Sequence, residues 1–320
     1  MHRDETVSGA ADSSATALAA RNVLVGTCSW TDQTLIDAGT FYPERTMSAK
    51  ERLGFYARRF PIVEVDSTYY APPSESTAGL WVERTPEHFT FDVKAFRLMT
   101  QHPTPPQALW KDLRSELPED LAGKRSLYLR DLPRSVQAEV FKRFVDALLP
   151  LHSAGKLGSV LLQLPPYVYP SSGSYGYLAW AAHQLADHHV AVEFRQRRWM
   201  DETHAEATLA FLEEHHLGYV CVDEPQGFAS SVPPVTAATS RVAEVRFHGR
   251  NAATWEAKGI TAAERFNYDY SEPELAEWVE RIAELAERSD RVHVLMNNCY
   301  GDFGVRNAAT MADLLAAALT

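Results

Sequence analysis

Cysteine is scarce in this chain: Cys28, Cys221 and Cys299 are the only three in 320 residues, and they stand far apart. No Cys-x-x-Cys pair or Cys/His ligand spacing occurs, which argues against a structural zinc site. Low cysteine usage fits a reducing cytoplasm, the expected location. No run of 18 apolar residues exists, so nothing in the sequence reads as a membrane span. Residues 1–20 are rich in Ala, Ser and Thr. They carry His2, Arg3, Asp4, Glu5 and Asp12 and lack the apolar stretch of a signal peptide. Positive charge is also in deficit: 31 Lys and Arg face 42 Asp and Glu, a net charge of −11. That argues against broad attraction to nucleic acid or anionic membranes, but leaves room for a few cations focused in one cleft. No Gly-x-Gly-x-x-Gly follows any apolar run, which disfavours an open dinucleotide-binding sheet.

What the sequence has is a rhythm of short β-rich runs that end on polar residues. They read VLVGTCSW (23–30), VEVDSTYY (63–70), FTFDVKA (89–95), SVLLQLPP (159–166), VAVEFR (190–195), GYVCVDEP (218–225), AEVRFHGR (243–250) and RVHVLMNN (291–298). Most are separated by segments with helical periodicity, and parallel strands need such crossovers. Eight units close a (β/α)8 TIM barrel, whose chemistry sits at the C-terminal ends of the strands. The expected organisation is a disordered tail over 1–21 and one TIM-barrel domain over 22–320. An insertion over 96–134, opened by Pro103, Pro105 and Pro106, separates strands three and four. Helices are expected near 47–60, 76–84, 135–150, 174–188, 200–216, 272–288 and 306–319. The sixth crossover, broken by Pro225, Gly227, Pro233 and Pro234, carries at most a turn of helix.

Residues two apart on a strand share a face. Glu64, Asp66 and Thr68 therefore group together, as do Glu193 and Arg195, and Glu244, Arg246, His248 and Arg250. Charges turned under the helices would be costly to desolvate, so this set is expected to point into the barrel mouth with Lys94, Gln163, Asp223, Asn297 and Asn298. An internally neutralised ion-pair plug accounts for such a set. Convergence of Lys94, Arg195, Arg246 and Arg250 with His248 favours a bound anion instead. The loops after strands seven and eight, where barrels often hold phosphate, read HGRNAAT and NNCYGDFG. Trp30 and Tyr69 are among the aromatics expected at the rim, with Tyr70, Tyr167, Tyr169, Trp199 and Tyr300. Two carboxylates, Glu193 and Asp223, end consecutive strands and could stand at a glycosidase-like separation. Asp66, Glu193, Asp223 and His248 could instead ligate a metal, but the neighbouring cations and the absence of His-x-His or His-Glu-x-x-His oppose this.

The run-ends resemble one known family. GTCSW (26–30), FYPE (41–44), VEVDSTYYAPP (63–73) and TPEHFTFDVK (85–94) are similar to motifs of the domain-of-unknown-function 72 family. So are KLGSVLLQLPP (156–166), AVEFRQRRW (191–199), FHGR (247–250) and NNCYGDFGVRNA (297–308). The resemblance covers about residues 22–318 and implies a TIM barrel; it carries over no biochemical activity. It places Glu64, Thr68, Tyr69, Lys94, Gln163, Glu193, Arg195, Trp199, Arg246, His248, Arg250, Asn297 and Asn298 at signature positions. Two departures stand out. Cys28–Ser29 precede Trp30 where Ser–Gly is more usual, and Asp66 replaces a commoner Asn, adding a carboxylate to the mouth.

The functional expectation is an enzyme, a hydrolase if a class must be chosen, acting on a small phosphorylated, nucleotide-like or carboxylated ligand. Glu193, His248 and Asp223 are the catalytic candidates. Lys94, Arg195, Arg246, Arg250, Asn297, Asn298, Gln163, Glu64, Asp66, Tyr69 and Trp30 are the ligand-binding candidates. No cofactor, metal or membrane partner is expected. The alternatives are a non-catalytic nucleic-acid or nucleotide-binding module and a metal-dependent hydrolase or isomerase of the AP endonuclease or sugar isomerase type.

Overall fold

A computed structural model describes residues 18–19 and 21–319. Most of the tail expected over 1–21 lies outside these residues; Leu18, at its end, is buried against the main core. Eight strands form one closed barrel in sequence order. They are β1 (Val23–Thr27), β2 (Ile62–Val65), β3 (Thr90–Lys94), β4 (Leu157–Gln163), β5 (Val190–Glu193), β6 (Leu217–Asp223), β7 (Val242–Phe247) and β8 (Arg291–Met296). Every neighbouring pair is parallel, and β8 closes on β1 with Val23 opposite Val292. This is a (β/α)8 barrel. No helix of the described residues is long and apolar enough to cross a membrane.

Local chemistry sets the helices. Ser48 and Glu51 form a reciprocal capping box that starts the helix Ala49–Ala57. The long helix Arg134–Ser153 buries Val140, Phe141, Phe144, Leu148 and Leu151 along one stripe. It starts one residue before Ser135, with Pro133 at the cap position. The helix expected over 272–288 is divided into Glu272–Ala276 and Val279–Arg288. Among the described residues, the β6–β7 connection contains no helix. In the 96–134 insertion, Leu109, Leu113, Leu117, Leu121, Leu127, Leu129 and Leu132 are buried and join the main core. It packs as part of the barrel.

The register divides the barrel cleanly. One side of each strand, Val23, Val25, Val63, Val65, Phe91, Val93, Val160, Val192, Val245 and Val294 among them, joins the large apolar layer under the helices. The barrel interior holds a small apolar group, Leu24, Cys28, Ile62 and Leu295. Leu161, Ala191, Val220 and Val222 also face inward by register, and the remaining inward positions are largely polar. Glu64 pairs with Asp92 across β2–β3, Gln163 with Glu193 across β4–β5, and Glu244 with His293 across β7–β8.

Candidate active site at the barrel mouth

Arg246 stands at the centre. Projecting inward from β7, it is fully buried between two carboxylates: Nη1 donates to Glu193 Oε2, and Nη2 donates to Glu64 Oε1 at 2.7 Å. Nη2 also lies 3.5 Å from Cys28 Sγ. Burial opposes the guanidinium charge, but Glu193 and Glu64 outweigh it, so Arg246 stays protonated. Burial likewise pushes the Glu193 carboxyl up, yet Arg246, His248 and Arg195 hold it well below the usual carboxylate range. Glu193 is heavily engaged. Its Oε1 accepts from Gln163 Nε2 at 2.7 Å and lies 3.1 Å from His248 Nε2 and 3.4 Å from Arg195 Nη1.

His248 has no spare nitrogen. Asn297 Nδ2 sits 2.8 Å from its Nδ1. An amide nitrogen only donates, so the neutral ring carries its proton on Nε2 and gives it to Glu193. Burial lowers the His248 pKa to about 4 despite the Glu193 charge. The residue therefore orients Glu193 and remains neutral near pH 7.

Glu64 differs from Glu193. Burial raises its pKa to about 7, only partly offset by Arg246 and Lys94. Its Oε2 is buried without a hydrogen-bond partner. The residue lines a hollow of about 220 Å³ with Cys28, Trp30, Asp32, Asp66, Tyr70, Phe266 and Asn297. Beside it, β2 ends at Val65 and a 3-10 turn over Ser67–Tyr69 replaces the strand expected to run to 70. The turn keeps Asp66 2.7 Å from Lys94 Nζ and sets the Tyr69 ring against Lys94 and Arg97. Burial and the charges of Lys94, Arg97 and Arg195 drive the His102 pKa down to about 3. This side of the mouth is cationic.

A second hollow of about 450 Å³ is lined by Tyr167, Tyr169, Arg195, Gln196, Trp255 and Arg265, among others. Arg195 lies over the Trp255 ring at 4.5 Å and 3.6 Å from Glu224 Oε2. Trp255 and Phe266 pack on each other and on His248, standing between the two hollows.

Three expected mouth residues lie elsewhere. On β6 the register places Val222 opposite Arg246, so Val222 and Glu224 face inward and Asp223 faces out. Asp223 accepts from Trp278 Nε1 at 2.7 Å, Tyr270 Oη at 2.6 Å and Arg250 Nη2 at 2.7 Å. It cannot form a carboxylate pair with Glu193. Arg250 leaves with it, also bonding Glu277. The cause is Gly249, whose φ of +87° breaks the strand alternation after His248. Asn298 likewise turns out of the mouth, donating to Tyr268 O and Asn307 Oδ1. Trp30 packs edge-on to Trp81 and Phe91 while touching the first hollow.

The profile described as "Protein of unknown function DUF72" matches residues 24–320. The chain belongs to the DUF72 family. It is 34% identical over 297 residues to the UPF0759 protein YunF of Bacillus subtilis (strain 168), covering 92% of this chain and 94% of that one. A DUF72 crystal structure from Thermotoga maritima MSB8 is similar at 30% identity and a TM-score of 0.71, over 92% of this chain and 98% of that one. Another, from Enterococcus faecalis V583, has 25% identity and a TM-score of 0.73, over 92% and 95%.

The mouth of this DUF72 protein also contains groups the run-ends did not single out: Glu224, Arg97, His102, Trp255 and Phe266. Glu224 directly follows Asp223, and only the register shows which of the two faces inward. Trp255 and Phe266 come from the long β7–β8 connection, beyond the reach of strand periodicity.

Proposed function

We propose that this DUF72 protein is an enzyme that uses Glu64 as a general acid–base on a small substrate held in the barrel mouth. The observation that carries this is the Glu64 carboxyl: buried, with one unpartnered oxygen, and near half-protonation at neutral pH beside a hollow. A group poised near the working pH can both accept and return a proton. Glu193, ionised and enclosed by donors, positions Arg246 and His248 and is not itself the proton carrier. Arg246 is neutralised by two carboxylates, and Arg250 belongs to the outer Asp223 cluster. Lys94 pairs with Asp66 and Arg195 lies beside Glu193 and Glu224, so Arg97, with no ion-pair partner among the described residues, is the cation left to receive an anionic group of the substrate. The hollow at Glu64 has room for about seven waters, the size of a small metabolite.

The reading is tested in two ways. Difference infrared spectra of wild type against Glu64→Gln should show a carboxyl titrating near neutrality. Incubation with a library of small carboxylates and phosphate esters, followed by mass spectrometry, should reveal a compound consumed by wild type and untouched by Glu64→Gln. A Glu64 carboxyl that titrates in the ordinary range, or equal turnover by the variant, would overturn it.

A further inference from the structure

Below the Arg246 layer lies a second polar cluster that the proposed acid–base chemistry does not use. Asp92 sits two residues before Lys94 on β3, Glu244 two before Arg246 on β7, and His293 four before Asn297 on β8. All three are at most 1% exposed. One donor atom from each lies within 4.8 Å of the others. The His293 Nδ1 atom is 2.8 Å from Asp92 Oδ2. Among the described residues, Asp92 Oδ1, both Glu244 oxygens and His293 Nε2 have no hydrogen-bond partner. The Ser159 hydroxyl lies beside Glu244 without hydrogen-bond geometry to it.

Native interiors rarely leave so many buried polar atoms unsatisfied in one place, and each costs free energy there. Gly158 keeps the space open. A β-irregularity between Phe91 and Asp92 brings it against the cluster, and a Cβ there would meet Asp92 Oδ1 at 2.3 Å and His293 Cε1 at 2.9 Å.

We propose that Asp92, Glu244 and His293 bind one divalent first-row transition-metal ion inside the barrel. Two carboxylates and one imidazole form a mixed oxygen–nitrogen donor set of the kind such ions take. Asp92 Oδ2 and His293 Nδ1, 2.8 Å apart, stand close enough to serve as neighbouring donors on one ion, and Glu244 offers the third. The ion compensates two buried acidic groups that otherwise face each other. The donors come from three strands at positions 92, 244 and 293, so no contiguous motif announces them. The site lies beneath the mouth and ties β3, β7 and β8 together.

The test uses the full chain. Protein purified without chelator should carry about one equivalent of manganese, iron, cobalt or zinc by plasma mass spectrometry, retained against EDTA while folded and released on unfolding. Glu244→Gln and His293→Gln should each retain less than a tenth of that metal. Wild type refolded in chelated buffer should melt at lower temperature and recover on adding stoichiometric Zn²⁺ or Mn²⁺. The opposite result is a cluster held by a proton and water. Wild type would then bind none of these ions on refolding with them, and Glu244→Gln, which mimics the protonated acid, would melt with wild type. That pair of results overturns the proposal. Should a variant fail to fold, the wild-type metal content and refolding comparison decide alone.

Discussion

Glu64 and Glu193 grip the same guanidinium, that of Arg246, and only Glu64 is left with an oxygen that has no partner. The pair divides the work expected of carboxylates in such a site. One fixes the charge at the centre of the barrel, and the other is the group proposed to carry a proton. The division follows from donor count. Glu193 faces Arg246, His248, Gln163 and Arg195, whereas among the described residues Glu64 has Arg246 alone within hydrogen-bond reach.

Arg246→Met should therefore act first on stability. Removing the guanidinium leaves two buried carboxylates facing each other, and breaking a buried pair typically costs about 3–5 kcal/mol. Urea unfolding should show a loss of this size, the signature of an internal ion-pair network. A variant as stable as wild type would mean that Arg246 is a ligand-binding cation with little structural role.

The barrel was legible from eight apolar runs with helical segments between them, because parallel strands buried on both faces need both features. Most of the mouth was legible from alternation: Glu64, Lys94, Gln163, Glu193, Arg195, Arg246, His248 and Asn297 are all brought together. Alternation failed where the strand ended. Asp223 and Glu224 are adjacent acids, and nothing in GYVCVDEP says which faces in; the pairing of Val222 with Arg246 decides it. Arg250 continues the Glu244–Arg246–His248 series, but the positive φ at Gly249 turns the chain before it arrives. His293 and Asp92 stand inside their runs, not at the polar ends. They share a face with Asn297 and Lys94 at steps of two residues back along the strand.

Glu224 provides a pH-dependent check. Burial raises its pKa from 4.5 to about 8, with Arg195 offsetting part of this. Between those values the folded protein keeps a proton that the unfolded chain has released, so this group's contribution makes stability fall as pH rises. Glu224→Gln removes that slope. Measured by urea unfolding at pH 5, 6.5 and 8, the variant should gain on wild type as pH rises, by at most about 1.4 kcal/mol per pH unit. A difference constant across the three pH values would place the Glu224 titration in the ordinary range.

Asp223→Asn separates structure from chemistry. The carboxylate accepts from Trp278, Tyr270 and Arg250 on the outer side of the barrel, and an amide cannot satisfy all three donors. The expected loss is about 1.5–3 kcal/mol, the scale of hydrogen bonds to a charged group. Turnover of a substrate found by the Glu64 screen should persist when measured well below the melting transition. Abolished turnover in a fully folded variant would return Asp223 to the catalytic set.

Gly249→Ala tests why His248 and Arg250 part company. Gly249 has φ +87°, and a Cβ there would lie 2.6 Å from Tyr268 Cβ, so the added methyl meets both backbone strain and a fixed neighbour. Its amide also donates to Tyr270 Oη at 2.9 Å, and Tyr270 in turn holds Asp223. Relief would require moving the 248–250 segment. That motion would loosen the Asp223–Arg250 pairing on one side and the His248–Glu193 contact on the other. The expected cost is about 1–3 kcal/mol in urea unfolding. Because Glu193 offsets part of the effect of burial, the His248 ring, neutral down to about pH 4 in the wild type, should stay neutral to lower pH in the variant when followed by NMR. An alanine variant with wild-type stability and an unmoved His248 titration would show that this turn does not depend on glycine.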